Sequence, residues 1–180
     1  MIFKEDYQKK DVSGYGSHIE PLLFLFENII INKAVEYGMG FFSTPLLLDY
    51  VKISLLSIEM QSKEWYDNVV ERYSTYTNKW YHCYSEKVTS FLGYPDCDLI
   101  LIDGSSITRS IGVAYAMQRG IENIVLHDTD STWYGYHLID EYRDKHVYIQ
   151  LDFTENAPHT RIYTKNKKLI DAYKSKYNHS

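Results

Sequence analysis

Residues 33–50 read KAVEYGMGFFSTPLLLDY, and this stretch decides the fold. Lys33–Tyr37 has the short, β-branched and aromatic composition of a strand. It stops at Gly38 and Gly40, and Ser43, Thr44 and Pro45 then open a helix that runs to about Val51, with hydroxyl residues at the cap and a proline in the first turn. Strand, glycine turn and helix in that order make the first half of a βαβ unit. Glycine lets the backbone pass close to a neighbour or a ligand, and a helix start turns its unpaired N–H groups toward the same turn.

The alternation continues on both sides. Residues 19–31 (IEPLLFLFENIII) read as a mostly buried helix before the first strand. After it, residues 53–58 (ISLLSI) form a second apolar strand closed by Glu59, and residues 62–74 form a helix with Trp65, Val69 and Tyr73 on one face. Residues 79–84 (KWYHCY) give a weaker strand and residues 98–102 (DLILI) a strong one, ending in Asp103-Gly104. Residues 107–118 form a helix with Gly120 as its stop. A fifth strand at 122–126 (ENIVL) ends in His127-Asp128, and a helical segment near 132–143 follows. Strands at 146–152 and 159–164, joined by a turn through Asn156–Pro158, have the spacing of a hairpin, and a basic helix closes the chain. Apolar strands separated by helices imply a parallel sheet buried on both faces. The expected architecture is therefore α/β: a Rossmann-like, doubly wound, mostly parallel sheet with an antiparallel C-terminal edge hairpin.

Composition agrees. The 180 residues suit a single domain, 1–180, whose first 16 residues read as a flexible or lid-like segment. The hydrophobic and charged fractions, 44% and 24%, are those of an ordinary globular protein. A net charge of −5 supplies no basic face, which argues against nucleic acid as a partner. The polar start MIFKEDYQKKD is no signal peptide, and the apolar run Pro21–Ile31, interrupted by Glu27 and Asn28, is too short for a membrane span. Cys83 and Cys97 have neither metal-site spacing nor disulfide-scaffold density; they read as reduced thiols of a cytoplasmic protein. The 18 tyrosines read as cover for core edges.

In a doubly wound sheet the ligand crevice lies at the carboxyl ends of the strands. Those ends are Glu36–Thr44, Glu59–Met60, Asp103–Ser106 and His127–Asp130, each with carboxylate, glycine or hydroxyl residues. Glu59 ends the second strand about 20 residues beyond the glycine turn, where a carboxylate accepts the hydroxyls of an adenosine ribose. NAD and S-adenosylmethionine share that requirement. Two details favour the second. Ser43 takes the position where a dinucleotide turn has Gly or Ala, and Glu36 stands two residues before Gly38, where a pyrophosphate would be repelled but a sulfonium or ammonium cation is attracted.

On these residues the sequence resembles the class I S-adenosylmethionine-dependent methyltransferases. It is most similar to a small-molecule O-methyltransferase branch with an E-x-G-x-G-x-x-S-T turn, an upstream G-x-G-S-H segment (Gly14-Tyr15-Gly16-Ser17-His18) and a later strand ending in H-D-T-[DE] (His127-Asp128-Thr129-Asp130). The resemblance spans residues 13–164. It implies that Glu36, Gly38, Met39 and Gly40 line the methionine part of the cofactor, that Ser43 and Thr44 cap the helix beside it, and that Glu59 and Met60 hold the ribose. It further implies that Ser17 and His18 approach from the N-terminal segment and that Asp103 and Gly104 lie where the methyl group is transferred. Relatives often continue the fourth strand as D-G-D-H, whereas here it reads Asp103-Gly104-Ser105-Ser106. A divalent cation, Mg or Mn, thus stays open, with Asp103 and Asp128 as its candidate ligands. The acid that usually follows the third strand has no clear counterpart, Glu86 being a poor one.

Methyl transfer is an in-line displacement at carbon, and a hydroxyl acceptor needs a base to take its proton. His127 is the expected base, with Asp103 and Asp128 orienting it. Arg109, Asp130, Trp133 and Tyr134, with Tyr136, are the candidates for contact with the acceptor. His82, His137, His146, His159 and His179 read as structural or solvated. The acceptor implied is a small molecule, a sugar in a glycan or glycoconjugate first. With little chain left for a lid, a homodimer or a larger assembly is also expected. Two alternatives stay open: an NAD-dependent oxidoreductase, and a non-catalytic module that keeps the fold for binding.

Overall fold

The structure, a computed structural model, describes residues 1–8, 16–76, 78–86 and 95–177. Strands β1 (Lys33–Tyr37), β2 (Ser54–Glu59), β3 (Trp80–Tyr84), β4 (Leu99–Ile102), β5 (Asn123–His127), β6 (Ile149–Phe153) and β7 (Thr160–Thr164) share one sheet in the order β3-β2-β1-β4-β5-β7-β6. The first five run parallel, and β7 is antiparallel to both neighbours. The chain steps outward from β1 to β3 and returns on the other side of β1 to β4. The connections therefore diverge between β1 and β4, and a crevice opens at their carboxyl ends.

Alternation along the strands fills both faces. Ala34, Leu55, Leu99, Leu101 and Val125 pack on the side of helices α2 (Ile19–Asn28), α3 (Ser43–Tyr50), α4 (Lys63–Tyr73) and α7 (Lys167–Tyr177). Val35, Tyr37, Ile100, Ile102, Ile124 and Leu126 pack on the side of α5 (Ser106–Arg119) and the segment around α6 (Asp140–Lys145). Both faces are covered, so the central strands read as continuous apolar runs.

Local chemistry explains where the observed elements depart from the expected ones. α2 ends at Asn28, whose side-chain amide donates to the Phe24 carbonyl (2.7 Å), and Ile29 is already extended. Phe42, not a hydroxyl residue, precedes the first turn of α3; Ser43 and Thr44 lie inside that turn. The 132–143 segment is two 3-10 turns and the short α6, separated by Gly135 at φ +66. β6 starts at 149 because Val147, at φ +59, turns the chain first. β5 reaches His127, which pairs with Thr160 of β7.

Residues 1–8, the start of the segment read as flexible or lid-like, are pinned to α3. The amides of Ile2 and Phe3 donate to the Asp49 carboxylate (2.6 and 3.0 Å), and the Tyr7 hydroxyl donates to it at 3.1 Å. Between them α1 (Lys4–Tyr7) makes one turn, and the buried Phe3 ring meets Tyr73 edge-on at 5.3 Å. Phe3→Ala is expected to cost about 3 kcal/mol, which for a chain of this size lowers the melting midpoint by roughly 6–12 °C in scanning calorimetry.

Candidate active site

Glu36, at the end of β1, is completely buried and organises the glycine turn. The Trp80 indole N–H donates to Ser57 Oγ (3.0 Å), whose own proton goes to Glu36 Oε2 (2.6 Å). The Gly40 amide donates to Thr44 Oγ1 (3.1 Å), which in turn donates to the Glu36 carboxyl (3.0 Å). Burial pushes the Glu36 carboxyl up to about 7, against the lowering effect of the Ser43, Ser57 and Thr44 hydroxyls. Gly38, at φ +86, is the tightest point of the turn. A Cβ there would stand 2.3 Å from the Asp103 carbonyl oxygen and 2.9 Å from the Gly104 nitrogen.

Glu59 is the matching acid at the end of β2. Its Oε1 accepts from the amides of Met60 (2.9 Å), Gln61 (2.7 Å) and Ser62 (3.3 Å), and its Oε2 accepts from the Met39 amide (3.1 Å). One carboxylate thus shapes the β2 turn and ties it to the β1 turn, and Oε2 keeps an unused lone pair. Trp65 adds an indole bond to the Met39 carbonyl (2.6 Å). Beside these turns lies a cavity of about 580 Å³, a size suited to a cofactor.

The other side of the cavity carries the charges. His127 Nδ1 lies 2.9 Å from Asp103 Oδ1, and its Nε2 lies 2.8 Å from Ser17 Oγ. The Asp103 carboxylate accepts, so Nδ1 carries the proton and Nε2 is the nitrogen able to change state. Ser17 Oγ donates its one proton to the Pro158 carbonyl (2.6 Å), so toward His127 it is an acceptor and the Nε2 contact is a hydrogen bond when Nε2 carries a proton. Burial alone would lower the proton affinity of His127, but the hydrogen bond and charge of Asp103 outweigh it and hold the ring above the ordinary histidine value. Burial would raise the Asp103 carboxyl, yet the His127 bond and the neighbouring cations bring it below the usual range. His18 meets His127 edge-on at 4.8 Å. Arg109, 5% exposed, bridges the acids: Nη1 is 2.7 Å from Asp128 Oδ2 and Nη2 is 3.0 Å from Asp103 Oδ1.

Of the expected site residues, His18, Gly38, Met39, Gly40, Ser43, Glu59, Asp103, Arg109, His127 and Asp128 border this one cavity. Others stand back from it. Glu36 and Thr44 form the buried network behind the turn, and Met60 packs into the core beneath. Ser17 borders a second, smaller cavity. Gly104 is buried and gives its carbonyl to Arg109 Nε (2.7 Å). Asp130 accepts from the His159 amide (3.1 Å), clipping its loop to the hairpin. Tyr134 lies against the Arg109 guanidinium, 4.3 Å from its ring centre, and the Tyr136 hydroxyl donates to the His127 carbonyl (3.0 Å). Trp133 is 91% exposed and borders no part of the cavity. Gly14 and Tyr15 lie outside the described residues. Phe41, Phe42, Gln61, Ser62, Trp65 and Pro158 complete the wall. The four between 41 and 62 follow directly on the two strand-end turns, which is the signal that could have found them. Pro158 reaches the site only through hairpin packing.

Asp103 and Asp128 do not fit a resident Mg or Mn ion, because one oxygen of each already faces the Arg109 guanidinium. A second grouping, His18, Asp103 and His127, brings one possible ligand atom from each within 4.8 Å of the others.

No family model matches the sequence, and no curated protein matches it. Solved structures do. The chain is similar to the N-methyltransferase NodS from Bradyrhizobium japonicum in complex with S-adenosyl-L-homocysteine, with a TM-score of 0.62 and 10% identity over 90% of this chain and 94% of that one. It is similar to precorrin-6y C5,15-methyltransferase from Geobacter metallireducens (TM-score 0.61, 13% identity, 87% and 90% covered). It is also similar to the S-adenosylhomocysteine-bound methyltransferase PaMTH1 from Podospora anserina (0.59, 11%, 92% and 88%). The fold is that of the class I methyltransferases: a seven-stranded, mostly parallel sheet with one antiparallel strand at β7. Among the described residues no helix is long and apolar enough to cross a membrane.

Gly38→Ala is expected to destabilise the protein by about 2–3 kcal/mol, since the added methyl meets the Asp103–Gly104 peptide and φ is positive; urea unfolding measures it. Glu36 makes stability depend on pH. Its folded value of about 7 exceeds the ordinary 4.5, so its contribution is full below 4.5 and is lost as pH rises through 7. Relative to Glu36→Gln, the natural protein should lose roughly 3 kcal/mol between those limits, measured by denaturant titrations across that range.

Proposed function

We propose that this protein is an S-adenosylmethionine-dependent methyltransferase that moves the methyl group to a hydroxyl of a small molecule, a sugar in a glycan or glycoconjugate first. The observation that carries the reading is the cavity at the β1–β4 switch point, which gathers the Gly38–Gly40 turn, the Glu59 carboxylate and the Asp103–His127 pair around one space. The similar NodS and PaMTH1 structures hold S-adenosylhomocysteine.

The donor set supports this cofactor over a dinucleotide. The cavity wall offers carboxylates to a cationic ligand, while its arginine is already committed to two of them and leaves little positive charge for a pyrophosphate. Glu59 Oε2 would take the ribose hydroxyls, and the 38–40 turn with Asp103 would flank the methionine end. When bound, the cofactor supplies a methyl group on a sulfonium.

The chain's own part is positioning and proton removal. The acceptor hydroxyl approaches His127 Nε2 on the side now held by Ser17 Oγ, and Nε2 takes its proton while Asp103 balances the charge that forms on the ring. The Ser17 hydroxyl, 2.8 Å from Nε2, is itself an alcohol oxygen at hydrogen-bond distance and supports this reading. Thiols at Cys83 and Cys97, both free, suit a cytoplasmic setting.

Calorimetric titration with S-adenosylhomocysteine and with NAD tests the cofactor; tighter binding of NAD overturns the reading. His127→Ala should leave S-adenosylhomocysteine affinity within about twofold while lowering methyl transfer over a panel of free sugars and glycosides by about 10²–10⁴. Transfer should rise with pH through a midpoint above 6.5, because only the neutral ring takes the proton and Asp103 raises its affinity. Asp103→Asn should move that midpoint down.

A further inference from the structure

Between the carboxyl ends of β4 and β5 the Arg109 side chain sits in a cage made of oxygen. Nε donates to the Gly104 carbonyl (2.7 Å). Nη1 reaches Asp128 Oδ2 (2.7 Å) and the His127 carbonyl (3.1 Å). Nη2 reaches Asp103 Oδ1 (3.0 Å) and, at 3.5 Å, the Asp103 carbonyl. Four of these contacts are hydrogen bonds and the Nη2–Asp103 Oδ1 contact is an ion pair, and the Tyr134 ring covers one face at 4.3 Å. Two carboxylates and three carbonyls around one cationic group are oxygens of the kind that hard divalent cations select. Asp128 holds φ +57, a left-handed conformation that aspartate adopts more readily than most residues.

From this arrangement we infer that the Arg109 guanidinium is a built-in replacement for a divalent cation, holding Asp103 and Asp128 in place so that the site needs no metal. Asp103 and Asp128 come from neighbouring strand ends and would repel each other without a positive charge between them. Arg109 supplies that charge from the first turns of α5, five residues beyond the Gly104 carbonyl it binds. It is a positioning residue: its donors are spent on the chain itself, and it acts through the two acids, one of which orients His127. Arginine suits the task because a planar fork serves several oxygens at fixed angles, which a lysine ammonium does not. The inference stands apart from the proposed methyl transfer and holds or fails whatever the acceptor.

Binding of Mn ions, followed by the loss of the free-ion paramagnetic resonance signal, tests it in the full chain. The natural protein should bind none at about 1 mM Mn. Arg109→Gln, which removes the charge and keeps the acids, should bind one Mn per chain. Its melting midpoint should rise by about 5–10 °C when Mn exceeds the dissociation constant roughly 100-fold, and adding Asp128→Asn should abolish both effects. Arg109→Ala provides the same test with the whole side chain removed. A lost side chain with a merely structural role would lower stability without creating an ion site. The inference is overturned if the natural protein binds stoichiometric Mn, whether Asp128→Asn removes it or it sits at the His18, Asp103 and His127 grouping. It is equally overturned if neither arginine variant gains Mn affinity or a Mn-dependent midpoint, including the case in which neither folds in the presence of the ion.

Discussion

The site depends on the absence of one carbon atom. Where the turn after β1 crosses the end of β4, Gly38 leaves no room for a Cβ against the Asp103 and Gly104 backbone. The Asp103 amide donates to the Tyr37 carbonyl (2.7 Å) and the Gly38 amide to the Ile58 carbonyl (2.9 Å). This contact clamps the ends of β1, β2 and β4 at the switch point, and the rest of the site is built outward from it. Glu36 fixes the turn from beneath, Glu59 ties it to the next strand, and α3 starts with its first turn facing the cavity.

Charge balance organises the opposite wall. Two acids, a guanidinium and an imidazole are packed against one another, so the protonation states of Asp103 and His127 are set by their neighbours. Arg109 compensates part of the negative charge of Asp103 and Asp128, and His127 meets the remainder. That remainder is what raises the proton affinity of the ring. A group that is both buried and drawn toward its charged form suits reversible proton transfer, because neither state is left unsupported.

The two walls differ in how local they are. Glu36, Glu59 and the glycines act through chain neighbours or through the adjacent strand. The second wall joins β4, β5, the first turns of α5, the segment before α2 and the hairpin that ends at Pro158. Distant pieces of chain meet there, and the same serine hydroxyl touches both His127 and Pro158.

The sequence by itself determined the order and type of the elements, because apolar runs punctuated by Gly38, Gly40 and Gly120 carry the periodicity and the stops of a βα alternation. It also determined that the strand ends bear Glu36, Glu59, Asp103 and His127, since strand-end positions follow from the pattern alone. Local propensity misplaced the element ends where a side-chain bond or a left-handed residue intervened: Asn28 closing α2, Gly135 splitting a helical stretch, Val147 delaying β6. Tertiary structure alone decided the partners. Arg109 reads equally as a surface or an acceptor-binding residue until its donors are seen turned inward, and Trp133, attractive in composition, faces solvent. Periodicity reports which face of an element is buried, whereas the direction of a guanidinium or an imidazole depends on residues that only the assembled sheet brings to about 3 Å from each other.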